Sequence, residues 1–153
     1  MQLPMTNNEF KDSLDKLLKP HGFKKKGNIW KIETVELEKE IELQKSNISN
    51  LYYLNYGYNF KDLNYTGVRH HISNRLASDD SIVSKRIQDT LDLEKHIDHS
   101  TRIKNLSDFV NNILLREMNL TNSKADILEY LKTRKTLNDI PLRVKEHLNI
   151  KIE

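Results

Sequence analysis

The sequence predicts an α+β fold: an N-terminal helix, a four-stranded antiparallel meander sheet, then a C-terminal set of helices packed on one sheet face. Two observations carry this. The apolar spacing runs at a helical period up to Leu18, at a period of two between Val35 and Phe60, and again at a helical period from about Val68. The connections between the alternating segments are short, which suits antiparallel neighbours and leaves no room for the crossovers that parallel strands require. A third observation is the absence of any low-complexity linker or internal repeat in 153 residues, which reads as one domain over 1–153.

Thr6 followed by Glu9 matches a capping box, and Phe10, Leu14, Leu17 and Leu18 then share one helical face. Pro20 and Gly22 end that helix. Phe23–Lys26 and Ile29–Glu33 flank Gly27–Asn28, a dipeptide that closes a tight hairpin because glycine accepts positive φ at the first central position. Val35, Leu37, Ile41 and Leu43 alternate with Glu36, Glu38, Glu40 and Glu42, placing apolar groups on one face of a third strand and carboxylates on the other. After a turn at Asn47–Asn50, Tyr52, Leu54, Tyr56, Tyr58 and Phe60 share one face of a fourth strand. Helical spacing is then read for a short segment carrying His70, His71, Arg75 and Leu76, for Ile82–Ile97, and for the stripe Leu106, Val110, Ile113, Leu114. A further helix capped by Asn122 or Ser123 carries Ala125, Leu128 and Leu131, and the last begins near Asp139 with Pro141 at an early position. Residues 77–101 leave three arrangements open: one helix, two, or a lid.

The chain has no cysteine, which rules out disulfides, thiolate metal sites and cysteine nucleophiles and suits a reducing compartment. The segment Met1–Thr6 carries no signal-peptide pattern, and no apolar run is long enough to span a bilayer, so a cytoplasmic protein without membrane contact is expected. A formal charge of +3 from 25 basic and 22 acidic residues is weak for a dedicated nucleic-acid binder.

Several groups of residues invite a chemical reading. Lys24, Lys25 and Lys26, with Lys19 and Lys31, form a basic rim that can contact phosphate or a partner, or simply protect a sheet edge. The evenly spaced glutamates read as a solvated face rather than a catalytic pair, because catalysis needs two carboxyls in different environments. On a helix, His71 and Arg75 would lie four apart and converge on an anion; the alternative is a structural tie through Arg75. Gln44, Lys45 and Ser46 at a strand end can frame a small pocket with Tyr56 and Arg75. The strand tyrosines are core residues on one reading and a base-stacking platform on another. His96 and His99 near Asp92, Glu94 and Asp98 lack a third ligand at a defined spacing, so no metal is expected. Nor is any cofactor, since no phosphate-cradling glycine loop, nucleophile elbow or zinc signature is present.

Gly22-Phe23-Lys24-Lys25-Lys26-Gly27-Asn28 with Trp30, then Leu43-Gln44-Lys45-Ser46-Asn47, Tyr52-Tyr53 and Asn55-Tyr56-Gly57, resembles the domain-of-unknown-function family 4304 of small bacterial proteins. The similarity extends through His71 and Arg75-Leu76 to Lys145-Glu146-His147-Leu148. It implies a stand-alone cytoplasmic α+β protein and supplies no catalytic residues. Its members also resemble small proteins encoded beside bacterial toxins, which implies an immunity role and a protein partner such as a toxin.

The leading expectation is therefore a non-enzymatic binding protein of the immunity or toxin-neutralising type, with Lys24, Lys25, Lys26, Gln44, Lys45, His71 and Arg75 as contact residues. A nucleic-acid-binding module using the hairpin lysines and strand tyrosines is the alternative. An enzyme with an anion site at His71 and Arg75 is a third reading.

Overall fold

The computed structural model describes residues 3–151, so Met1, Gln2 and the last two residues of the expected 1–153 domain lie outside the described residues. Helix α1 spans Asn7–Leu18. Its capping box is reciprocal: the Glu9 N–H donates to Thr6 Oγ1 at 3.1 Å, and the Thr6 N–H donates to Glu9 Oε1 at 3.2 Å. Phe10, Leu14 and Leu18 are fully buried, and a 3₁₀ turn at Lys19–His21 leads into Gly22, whose φ of 93° ends the helical run.

Five strands follow: β1 (Lys24–Lys26), β2 (Ile29–Glu33), β3 (Leu37–Lys45), β4 (Tyr52–Phe60) and β5 (Ile72–Arg75). They pair antiparallel in the order β1-β2-β3-β4-β5. The expected four-stranded sheet thus gains a fifth strand, from a segment whose spacing reads as helical. At four residues, with Ile72 its only aliphatic residue, β5 is too short to display a period, and pairing with Asn55–Tyr58 overrides local preference. Val35 also departs from the expected strand. It sits in the β2–β3 turn, 93% exposed, and β3 begins two residues later.

The register sorts every strand residue onto one of two faces, because directly paired residues point the same way. On the core face, Lys25, Trp30, Ile41, Tyr56 and Asn74 form one row, and Ile32, Lys39, Tyr58 and Ile72 the next. On the outer face, Lys24, Lys31, Glu40, Gly57 and Ser73 align, beside Lys26, Ile29, Glu42, Asn55 and Arg75.

The helices pack on the core face: α2 (Ser81–Leu91), α3 (His99–Phe109), α4 (Leu115–Asn119), α5 (Lys124–Leu131) and α6 (Leu142–His147). The helical stripe read from Leu106, Val110 and Leu114 is buried, but a π-helical turn at Val110–Leu114 joins α3 to α4. Region 77–101 resolves into α2, an ordered turn and the start of α3. The buried Arg102 guanidinium fixes that turn by donating to the carbonyls of Asp89, Thr90, Asp92 and Lys95.

Lys39 is the exception to the apolar alternation of β3. It lies on the core face at 5% exposure, and its Nζ donates to the Met118 carbonyl at 2.7 Å and to Asn122 Oδ1 at 2.8 Å. Burial lowers its pKa. The ammonium sits against the C-terminal carbonyls of α4, where the helix dipole favours positive charge, and so pins the α4–α5 junction to the sheet. A second polar tie lies nearby. Tyr58 donates to Glu117 at 3.1 Å, and burial raises the Glu117 pKa while the Tyr58, Tyr56 and Tyr130 hydroxyls pull it back. Tyr130 donates to Asn74 Oδ1 at 2.6 Å, and Arg134 donates to the same oxygen and to the Ser73 carbonyl.

Candidate interaction face

Among the described residues no helix covers the outer face of the sheet, and its polar side chains are ordered by one another. Arg75, at the end of β5, lays its guanidinium 4.2 Å from the centroid of the Tyr53 ring. Its Nε donates to Asn55 Oδ1 at 2.9 Å and its Nη2 to Gln44 Oε1 at 3.2 Å. The Asn55 amide in turn donates to Gln44 Oε1 at 2.7 Å and to Glu42 Oε1 at 3.2 Å. Three strands thus supply one aromatic-arginine group whose conformation is set by contacts within the chain.

The centre of the face is acidic but compensated. Glu38 pairs with Lys31 at 3.4 Å, while Glu40 and Glu42 face Arg69 at 3.7 and 3.3 Å. Glu40 is buried rather than solvated, because the segment 61–71 crosses the face and sets Arg69 and His70 over it. His70 lies on Gly57. A Cβ at Gly57 would stand 2.5 Å from the His70 ring and 2.5 Å from the Ile72 carbonyl oxygen, so only glycine admits this crossing. Burial pushes the His70 pKa down to about 4, helped by Arg69 and opposed by Glu42.

His71 and Arg75 do not converge. The helical spacing that would join them is absent, since β5 is a strand. His71 is buried between Phe60 and Tyr65, with Nδ1 accepting from the Phe60 N–H at 2.9 Å and Nε2 bonded to the Tyr65 carbonyl at 2.8 Å. Both ring nitrogens are spent on holding segment 61–71. Gln44 meets Arg75 as expected, but Tyr56 points to the opposite face, and Lys45 turns its Nζ to the Ser46 and Ser49 carbonyls. The lysine triplet divides as well: Lys24 and Lys26 stand on the outer face, while Lys25 pairs with Trp30 on the other. All three are exposed, and among the described residues neither Lys24 nor Lys26 has an ion-pair partner.

Tyr52, Tyr56 and Tyr58 are buried in the core, and Phe10 stacks on Tyr52 at 5.5 Å. His99 bonds to the Leu3 carbonyl at 2.8 Å, and among the described residues no group of three or more His, Asp or Glu side chains is arranged to hold a metal ion. Sequence reasoning did not count Tyr53, Asn55 and Arg69 among the contact residues of the outer face. The signal available was the alternation of β4 itself, which puts Tyr53 and Asn55 opposite the core tyrosines and beside the glutamates. Lys39, Glu117 and Arg134 left no comparable trace.

Among the described residues no helix is long and apolar enough to cross a membrane. No curated protein and no solved structure matches the chain. The sequence profile of one family, described as "Domain of unknown function (DUF4304)", matches residues 14–134 and so does not include Lys145–Leu148. A match over that much of the chain, including the hairpin, the Gln44–Asn55–Arg75 group and Gly57, means that the chain belongs to the DUF4304 family.

Proposed function

We propose that this chain is a non-enzymatic cytoplasmic binding protein of bacterial origin, of the immunity or toxin-neutralising type, and that the outer face of its sheet is the contact surface. The observation that carries the reading is the Arg75–Tyr53 stack held by Gln44 and Asn55. Arginine and tyrosine, with tryptophan, are the residue types enriched among those that dominate interface energetics, and here their conformation is fixed without a partner. Lys24 and Lys26 stand on the same face without a counter-charge among the described residues, so the favoured partner surface is acidic. Docking on the face is favoured over strand addition at an edge. Strand β1 has only three residues, and Arg134 takes the Ser73 carbonyl at the free side of β5.

The groups that an enzymatic reading needs are occupied: His71 with backbone, Arg75 with Gln44 and Asn55. A nucleic-acid module would have to work without the rings of Tyr52, Tyr56 and Tyr58, which lie in the core.

The test is gentle isolation of the tagged protein from its host, followed by native mass spectrometry. A stoichiometric protein partner is expected, and Arg75→Ala should weaken that complex by about 2 kcal/mol, some 30-fold, without lowering the unfolding midpoint. Recovery of the chain alone at low salt, or with nucleic acid in place of protein, would overturn the reading.

A further inference from the structure

Segment 61–71 does more than cover Glu40. Between it and the rim of the outer face lies an open cavity of about 450 Å³, lined on its polar side by Asn59, Lys61, Thr66 and Arg69 and on its apolar side by Phe60, Leu63, Tyr65 and Val68. That volume is within the range of small-molecule sites, and the lining is more polar than is usual for them, with the apolar wall confined to one side.

The polar side is rich in donors. Lys61 and Arg69 bring cationic N–H groups and Thr66 a hydroxyl, while the Asn59 amide donates to Glu40 and to the Arg69 carbonyl, each at 3.4 Å; the one lining carboxylate, Glu38, faces Lys31 at 3.4 Å. The cations are held loosely by their own carboxylates. Lys61 stands 3.4 Å from Glu33, and Arg69 stands 3.3 and 3.7 Å from Glu42 and Glu40, whereas tight charge-assisted hydrogen bonds close to about 2.7–2.9 Å. Arg69 is 46% exposed in its side chain, so its guanidinium has N–H groups to offer an incoming oxyanion. The floor is rigid, since His71 bridges the Phe60 N–H and the Tyr65 carbonyl at the back of the cavity.

We propose that this cavity is a binding site for a small organic anion, a carboxylate or phosphate ester carrying a compact apolar body. The anionic group would lie between Arg69 and Lys61, and the apolar body against Tyr65, Leu63 and Val68. Inorganic phosphate offers the first interaction without the second.

The experiment is a titration of the intact chain with phenyl phosphate, benzoate and inorganic phosphate, followed by amide chemical shifts. Saturable shifts centred on Asn59, Thr66 and Arg69 are expected with the two aromatic anions, and inorganic phosphate should bind about tenfold more weakly. Arg69→Gln and Lys61→Gln should each reduce phenyl phosphate affinity about tenfold, the value of one charge-assisted contact. Lys61 is a surface residue, so its variant keeps the test decisive if Arg69→Gln loosens the segment. Equal affinity for inorganic phosphate would refute the apolar half of the site. Shifts scattered over distant lysines, or none, would refute the site altogether.

Discussion

Gly57 shows how much one residue can determine. It is the glycine of the Asn55-Tyr56-Gly57 motif, and its missing side chain is what allows the His70 ring to rest on the sheet. A Gly57→Ala substitution would set a methyl group 2.5 Å from both the ring and a backbone oxygen, and the backbone oxygen cannot move without pulling β5 from β4. The expected cost is about 3 kcal/mol, read as a lower urea midpoint, because overpacking against fixed atoms is not relieved by rotamer changes. An unchanged midpoint would mean that His70 is not seated there. Lys39 makes a complementary point. Its aliphatic stem fills an apolar row, and its charge caps a helix end, so one side chain serves both the core and the helix layer.

At the level of elements, the third and fourth strands were legible because each is long enough to alternate visibly. Leu37, Ile41 and Leu43 against Glu38, Glu40 and Glu42 fix a face over nine residues. The fifth strand was not legible, since four residues carry no period and the strand exists only through its pairing with β4. The same reason hid the ties on the core face: Glu117 meets Tyr58 across 59 positions, a separation that no local pattern records, whereas the meeting of Gln44 with Arg75 was expected from the place of Gln44 at a strand end. Segment 61–71 is where this matters for behaviour. His70 is buried, with Arg69, Glu40, Glu42 and His71 as its charged or titratable neighbours, and it resists protonation down to about pH 4. In the unfolded chain it would take up a proton near its ordinary pKa of about 6.5. The unfolded state therefore binds more protons across that interval, and stability must fall as pH drops from about 6.5 towards 4. The wild type should lose about 2 kcal/mol more over this range than a His70→Gln variant, measured by urea unfolding at each pH. Parallel curves for the two proteins would place the His70 ring in water.

On the scale of the whole molecule, the sheet divides the chain's chemistry between its two faces. The core face takes the rings of Trp30, Tyr52, Tyr56 and Tyr58 and three polar ties, through the buried Lys39 and the half-buried Glu117 and Arg134, which hold the helices in place. The outer face keeps its charges, sorts them into pairs and presents one arginine-tyrosine group with two lysines to spare. This division makes the proposed binding role testable residue by residue, because Lys24 and Lys26 lie on the outer face and Lys25, between them in sequence, does not. The most direct measurement is the association rate with the isolated protein partner at low salt, for the Lys24→Glu/Lys26→Glu pair and for Lys25→Glu. Reversing charge on the outer face should slow association about tenfold, as loss of electrostatic steering does, while Lys25→Glu should leave the rate within about twofold. Equal slowing by both would assign the effect to net charge, and no slowing by either would contradict the outer face as the docking surface.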